Sequence, residues 1–171
     1  MRSAASECDR PLVKATRAAI LIAALVLGFS ATAGAEEATR ATYKEAAEPI
    51  CKANTRANER ILAGVRGEVK RGELKSAANR FERAARALRK TLAELREIPR
   101  PSADTARLSR WLGFIKTEVE LLERTARYLD AGKKGAAEGM VVRLKSVANR
   151  ANNVVFAFEF EYCHFDPTRF T

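Results

Sequence analysis

Two cysteines, Cys51 and Cys163, bracket almost everything in this chain that can fold. A bond between them requires the two ends of a domain to meet, and few architectures allow that. The third cysteine, Cys8, belongs to a different kind of sequence. Arg2, Arg10, Lys14 and Arg17 make a basic stretch, and an uncharged run from Ala18 to Phe29 follows it. Small residues fill positions 30–35, where Ala31-Thr-Ala33 and Ala33-Gly-Ala35 both fit the small-x-small rule for cleavage. Residues 1–35 are therefore read as a secretory signal peptide cut after Ala35. The competing reading is an uncleaved anchor that holds the protein in the plasma membrane, facing outward. Ala18–Ala35 carries no charge, but a spanning helix wants roughly 20 predominantly apolar residues, and positions 30–35 are small and weakly apolar. Either way the basic flank stays inside and the rest is exported. Cys8 stands upstream of the apolar run, so it is not a lipidation cysteine and leaves with the peptide.

The exported part is one domain's worth of chain. It is rich in Ala, Leu, Arg and Glu, all good helix formers, and shows no β-branched runs separated by turns. The whole chain has a formal charge of +10; the leader holds four basic and two acidic residues, which leaves +8 on the domain. Such a charge favours an anionic partner: wall polymer, lipid head groups or an acidic protein. Against that, the basic residues are spread along every predicted helix and interleaved with Glu, which reads mainly as a solvated face. No phosphate-cradling glycine loop or nucleic-acid signature is present in the sequence, and nucleic acid is not expected as a partner.

Three turn signals divide the domain. Lys70-Arg71-Gly72 reads as a helix end with a basic last turn and a left-handed glycine. Pro99-Arg100-Pro101-Ser102 cannot continue a helix, and Ser102 or Asp104 supplies the next N-cap. The third break is Asp130-Ala131-Gly132-Lys133-Lys134-Gly135. Between breaks, apolar residues recur at alternating steps of three and four. One stripe runs from Leu74 through Phe81, Leu88 and Leu92 to Leu95. A second runs from Leu108 through Ile115 and Leu122 to Leu129, and a third from Met140 through Leu144 and Val147 to Phe158. The first segment is less regular, with Ile50, Ile61, Leu62, Val65 and Val69. Pro49 marks its expected start, after a flexible lead-in over 36–48. The prediction is all-α: an up-down-up-down four-helix bundle over 49–165, with a C-terminal tail over 166–171.

The cysteines now acquire a geometry. In such a bundle the start of the first helix and the end of the fourth share an end, so Cys51 and Cys163 are predicted to form an intramolecular disulfide. Free thiols and an intermolecular bond are the alternatives, and an oxidising compartment disfavours two unpaired thiols.

Val154 to Phe165 departs from the pattern. Phe156, Phe158, Phe160 and Tyr162 alternate with Ala157, Glu159 and Glu161, which is strand periodicity. No other segment offers a pairing partner and a lone strand is unstable, so a helix continuing to about Cys163 is predicted, ended by Asp166-Pro167. One reading has these rings capping the bundle end. The other makes Phe156, Phe160, Tyr162, His164 and Phe165 an exposed partner surface.

Catalytic and cofactor chemistry finds little support. Glu161-Tyr-Cys-His164 has the Glu-x-x-His spacing, but a di-iron bundle needs it twice with two further glutamates, and His164 is the only histidine. Haem attachment lacks its Cys-x-x-Cys-His motif. Cys163 beside His164 suggests a thiol nucleophile, yet adjacent helical residues point apart and Cys51 is the better partner. Glu118, Glu120 and Glu123 with Arg124 and Arg127 read as a charged helix face. One of Asn149, Asn152 and Asn153 is expected to bond into the bundle and fix its register. No metal, cofactor or catalytic residue is assigned.

The cleavable leader, Ile50-Cys51 near the first helix start, the Pro99–Pro101 break, the Ala131-Gly132 turn and the C-terminal Cys163 carry a resemblance. The plan resembles small, uncharacterised exported helical proteins of high-GC actinobacteria with one cysteine pair. That resemblance implies the paired cysteines by analogy and carries no activity. The expected function is a non-enzymatic, secreted or envelope-associated binding or structural module. The alternative is a carrier holding a small apolar ligand between helices at the aromatic C-terminal end.

Overall fold

The computed structural model describes residues 37–165; the predicted leader and the tail over 166–171 lie outside the described residues. Among the described residues, four long helices and one short one account for most of the length: α1 (Arg40–Leu62), α2 (Val65–Lys70), α3 (Leu74–Glu97), α4 (Thr105–Asp130) and α5 (Lys134–Val154). Single 3-10 turns occur at Ser102–Asp104 and Phe156–Phe158, and no strand occurs among the described residues. The described residues are all-helical, as the three-and-four spacing predicts.

The first helix starts nine residues earlier than Pro49 and holds that proline inside it, so the lead-in expected over 36–48 is helical from Arg40. A capping box accounts for the start. The Thr39 hydroxyl accepts from the Thr42 N–H (3.1 Å), and the Thr42 hydroxyl accepts from the Thr39 N–H (2.9 Å). Burial accounts for the extension: Tyr43 and Ala47 lie in the core, about two turns and one turn before Cys51. Their packing outweighs the single backbone bond that Pro49 cannot donate.

Expected as one segment, residues 50–69 break at Ala63-Gly64 and resume as the six-residue α2. Arg80 on α3 fastens this corner. Its Nε donates to the Glu68 carboxylate (2.7 Å) and its Nη1 to the Ile61 carbonyl (2.9 Å). Gly72 then closes α2 in the left-handed conformation (φ 79°), as the basic last turn predicts. The Glu73 N–H reaches the Glu68 carbonyl and the Gly72 N–H the Val69 carbonyl, the paired bonds of a Schellman motif. The same pair of bonds, from Lys133 to Tyr128 and from Gly132 to Leu129, closes α4.

The stripes predicted for α3, α4 and α5 form the core. Phe81, Leu88, Leu92 and Leu95 meet Leu108, Ile115, Leu122 and Leu129, with Leu144, Val147 and Ala151 from α5. Alanines at 77, 84, 137 and 148 are fully or almost fully buried, so helices approach closely beside the larger side chains. Packing is closest between α3 and α4 and between α4 and α5, while α1 lies chiefly on α3. Asp104 takes the N-cap position of α4, but its carboxylate makes no cap bond. It turns to Arg40 instead, accepting from Nε (2.5 Å) and Nη2 (2.9 Å), and thereby ties the start of α1 to the start of α4.

Candidate functional site

The C-terminal segment does not continue as a helix to Cys163. α5 ends at Val154, the 3-10 turn Phe156–Phe158 follows, and Glu159 adopts a left-handed backbone (φ 51°). Side chains from α1 and α5 take up the backbone groups that a helix would use. The Glu48 carboxylate accepts from the N–H groups of Glu161 (2.5 Å) and Tyr162 (2.8 Å). The Lys44 ammonium donates to the Glu159 carbonyl (2.6 Å). Asn152 binds both backbone groups of Phe165, accepting from its N–H and donating to its carbonyl, each at 3.0 Å. The expected asparagine is thus present, but it fixes this strap and not the helix register. These bonds offset the roughly 1–2 kcal/mol that a left-handed non-glycine residue costs.

The strap lays its rings on the core. Phe158 stacks on Phe160 (5.3 Å between centroids), Phe160 stacks on Trp111 (5.5 Å), and Tyr43 meets Phe158 edge-on (6.0 Å). The five residues offered as a partner surface therefore separate. Phe160 is buried, Tyr162 and Phe165 are half-buried, His164 is exposed, and Phe156 is 84% exposed. Lys52 lies over the Tyr162 ring at 4.5 Å. The His164 Nδ1 is 3.0 Å from the Phe160 carbonyl, so that nitrogen carries the proton it donates there.

Beneath the strap the sulfurs of Cys51 and Cys163 stand 2.05 Å apart, the distance of a disulfide bond, with Cα atoms 5.0 Å apart. Both residues are buried, and the sulfur of Cys163 is engaged by Cys51 and not by His164. Beside them lies a crevice of about 30 Å³ lined by Thr91, Trp111, Glu118 and Asn152 among others. That is room for about one or two water molecules and too little for an organic ligand.

Glu118 is the residue that the sequence reading misplaces. It is buried to 1% exposure, and its Oε1 has no hydrogen-bond partner among the described residues. Burial pushes its carboxyl up to about 8, so it is protonated at neutral pH. The signal lies in the spacing. Glu118 stands three residues after Ile115 and four before Leu122, on the apolar stripe. Asp104 is the opposite case: bonding to Arg40, together with the charges of Arg40 and Arg107, holds its carboxyl below the usual range against the cost of burial.

Two larger concavities bear on function. One, of about 730 Å³, runs between α4 and the end of α5 and is lined by Arg107, Arg110, Arg150, Phe114 and Phe156. Arg110 and Arg150 sit over the Phe114 ring at 5.9 and 5.3 Å, within cation–π range. No acidic residue lines it among the described residues. The second concavity, about 460 Å³, is predominantly apolar and lies between α2 and the start of α5. Among the described residues no group of three or more His, Cys, Asp or Glu gathers to hold a metal.

Comparison with family models, with curated proteins and with solved structures finds no match for the chain. Among the described residues no helix is long and apolar enough to cross a membrane.

Proposed function

We propose that this protein is an exported, non-enzymatic binding module, a disulfide-clasped up-down-up-down bundle that docks on anionic lipid at the cell envelope. The observation that carries the reading is the groove lined by three arginines, by Phe114 beneath Arg110 and Arg150, and by the exposed Phe156. Guanidinium groups match phosphate oxygens bidentately, and a protruding ring enters the apolar edge of a bilayer. The leader over 1–35 and the charge of +8 on the remainder support export and an anionic partner. Alternating helix direction is supported by the Cys51–Cys163 contact and by the ion pair between Arg40 and Asp104.

Each basic residue near an anionic surface contributes about 1 kcal/mol, so Arg110 and Arg150, the two not paired with Asp104, together amount to roughly thirtyfold in affinity. The expected result is co-sedimentation with vesicles of phosphatidylglycerol and phosphatidylcholine at low ionic strength, lost at high salt. Arg110→Glu with Arg150→Glu should abolish it, and Phe156→Ser should weaken it about tenfold. Binding that persists in high salt, or that survives the arginine reversals, refutes this docking mode.

A further inference from the structure

The second concavity is a different kind of site. Its walls are Val65 and Val69 of α2 and Val141 and Val142 of α5, and its floor includes Phe81 and Leu129. The floor is fully buried core, while Val142 is 70% exposed, so apolar surface runs without interruption from the interior to the solvent. Arg66, Lys70 and Lys134 stand among the lining residues, against a single acidic group, Glu138. The chemistry is that of an apolar slot with a cationic mouth. Its volume of about 460 Å³ falls in the lower half of the range of small-molecule sites. A two-chain phospholipid overfills such a space, and a neutral hydrocarbon makes no use of the excess positive charge over Glu138.

We infer that this slot binds a single long-chain carboxylate, a free fatty acid, with its chain between α2 and α5 and its carboxylate among Arg66, Lys70 and Lys134. The inference stands apart from lipid docking at the arginine groove, because the two sites share no lining residue. Glu138 narrows the choice of head group, since it repels a second negative charge on a phosphate monoester more strongly than the single charge of a carboxylate. The buried Thr125 hydroxyl already donates to the Leu121 carbonyl (2.8 Å), so the floor makes no competing demand for a polar ligand.

Calorimetric titration of the full chain with dodecanoate, below the concentration at which it forms micelles, tests the assignment. Saturable binding of one dodecanoate per chain is expected, with dodecanol at least tenfold weaker and dodecyltrimethylammonium undetected. Lys70→Glu with Lys134→Glu should weaken dodecanoate at least tenfold and leave dodecanol unchanged. Val142→Glu, at a position 70% exposed, should weaken both ligands. Lys145→Glu, an exposed charge reversal elsewhere on α5, should change neither. Equal affinity for dodecanoate in all variants, or no saturable uptake, overturns the inference. So does a dimer that blocks uptake and that Val142→Glu dissociates, because a second copy of the chain then fills the slot.

Discussion

The region around the disulfide and the region around α2 solve the same packing problem in opposite ways. At the disulfide, a strap without helical bonds is held by a covalent link, a stack of Trp111, Phe160 and Phe158, the Glu48 carboxylate and two bonds from Asn152. Almost no free volume remains there. Around α2 the chain is held to its neighbours by buried Val65 and by Arg80 from α3, and a slot of about 460 Å³ stays open beside it. Redundant restraint therefore coincides with a closed interior, and sparse restraint with a surface that can accept a ligand. The clasped region keeps its interior closed and offers only its outer face, where Phe156 stands, while the less restrained region leaves an internal slot open.

Removing the covalent link is the strongest way to break this contrast. The disulfide spans 112 residues, and the chain-entropy treatment assigns a loop of that size about 4 to 5 kcal/mol. Cys51→Ser with Cys163→Ser should lower the urea midpoint accordingly. Amide exchange should quicken over 156–165 first, with protection of the α3–α4 interface lost only on global unfolding. A uniform rise across all helices would mean that the clasp is not a local device.

Glu118 sharpens the same contrast by titration. The folded carboxyl titrates at about 8 and the unfolded one at its ordinary 4.5. Between those values the folded chain keeps a proton that the unfolded chain has released. Stability therefore falls as pH rises through that window and levels off above it, by a few kcal/mol in all. Glu118→Gln keeps the shape and removes the titration. The variant should match the parent near pH 5 and exceed it by a few kcal/mol near pH 9, as read from urea denaturation. Parallel pH curves for the two proteins would show that Glu118 is ionised when folded.

Much of the fold is legible in the sequence because helix stripes and turn chemistry are local. The stripes through Phe81, Ile115 and Leu144 and the turn at Gly72 need only residues within a few positions of each other. What escapes is decided at long range. The helical lead-in depends on Tyr43 finding Phe158 across the fold. The end of α5 depends on Glu48 and Asn152 capturing a backbone that, taken alone, continues a helix. Glu118 is misread when charge is weighed above position, although its spacing from Ile115 and Leu122 is plain. Of the proposed contact residues, only the exposure of Phe156 and His164 agrees with a surface role. Phe160 faces Trp111, a partner that no periodicity indicates.

The smallest effect concerns the corner that opens the slot. Gly64 joins α1 to α2 with φ 77°, and a Cβ added there meets no atom within 4 Å. Any destabilisation by Gly64→Ala is therefore backbone strain and not a clash, worth about 1 kcal/mol. Gly113, within α4, also has open space for an added Cβ but an ordinary helical backbone. Gly113→Ala should stabilise the protein by roughly 0.5 to 1 kcal/mol. The two alanines thus change stability in opposite directions for the same added methyl. The Gly64 variant should also speed amide exchange over 65–70 while leaving 156–165 untouched, because the strained hinge adjoins α2 and no covalent link holds that helix. Faster exchange in both regions would show that the corner and the clasp are one cooperative unit, and the contrast between them would then describe packing density and not independent stability.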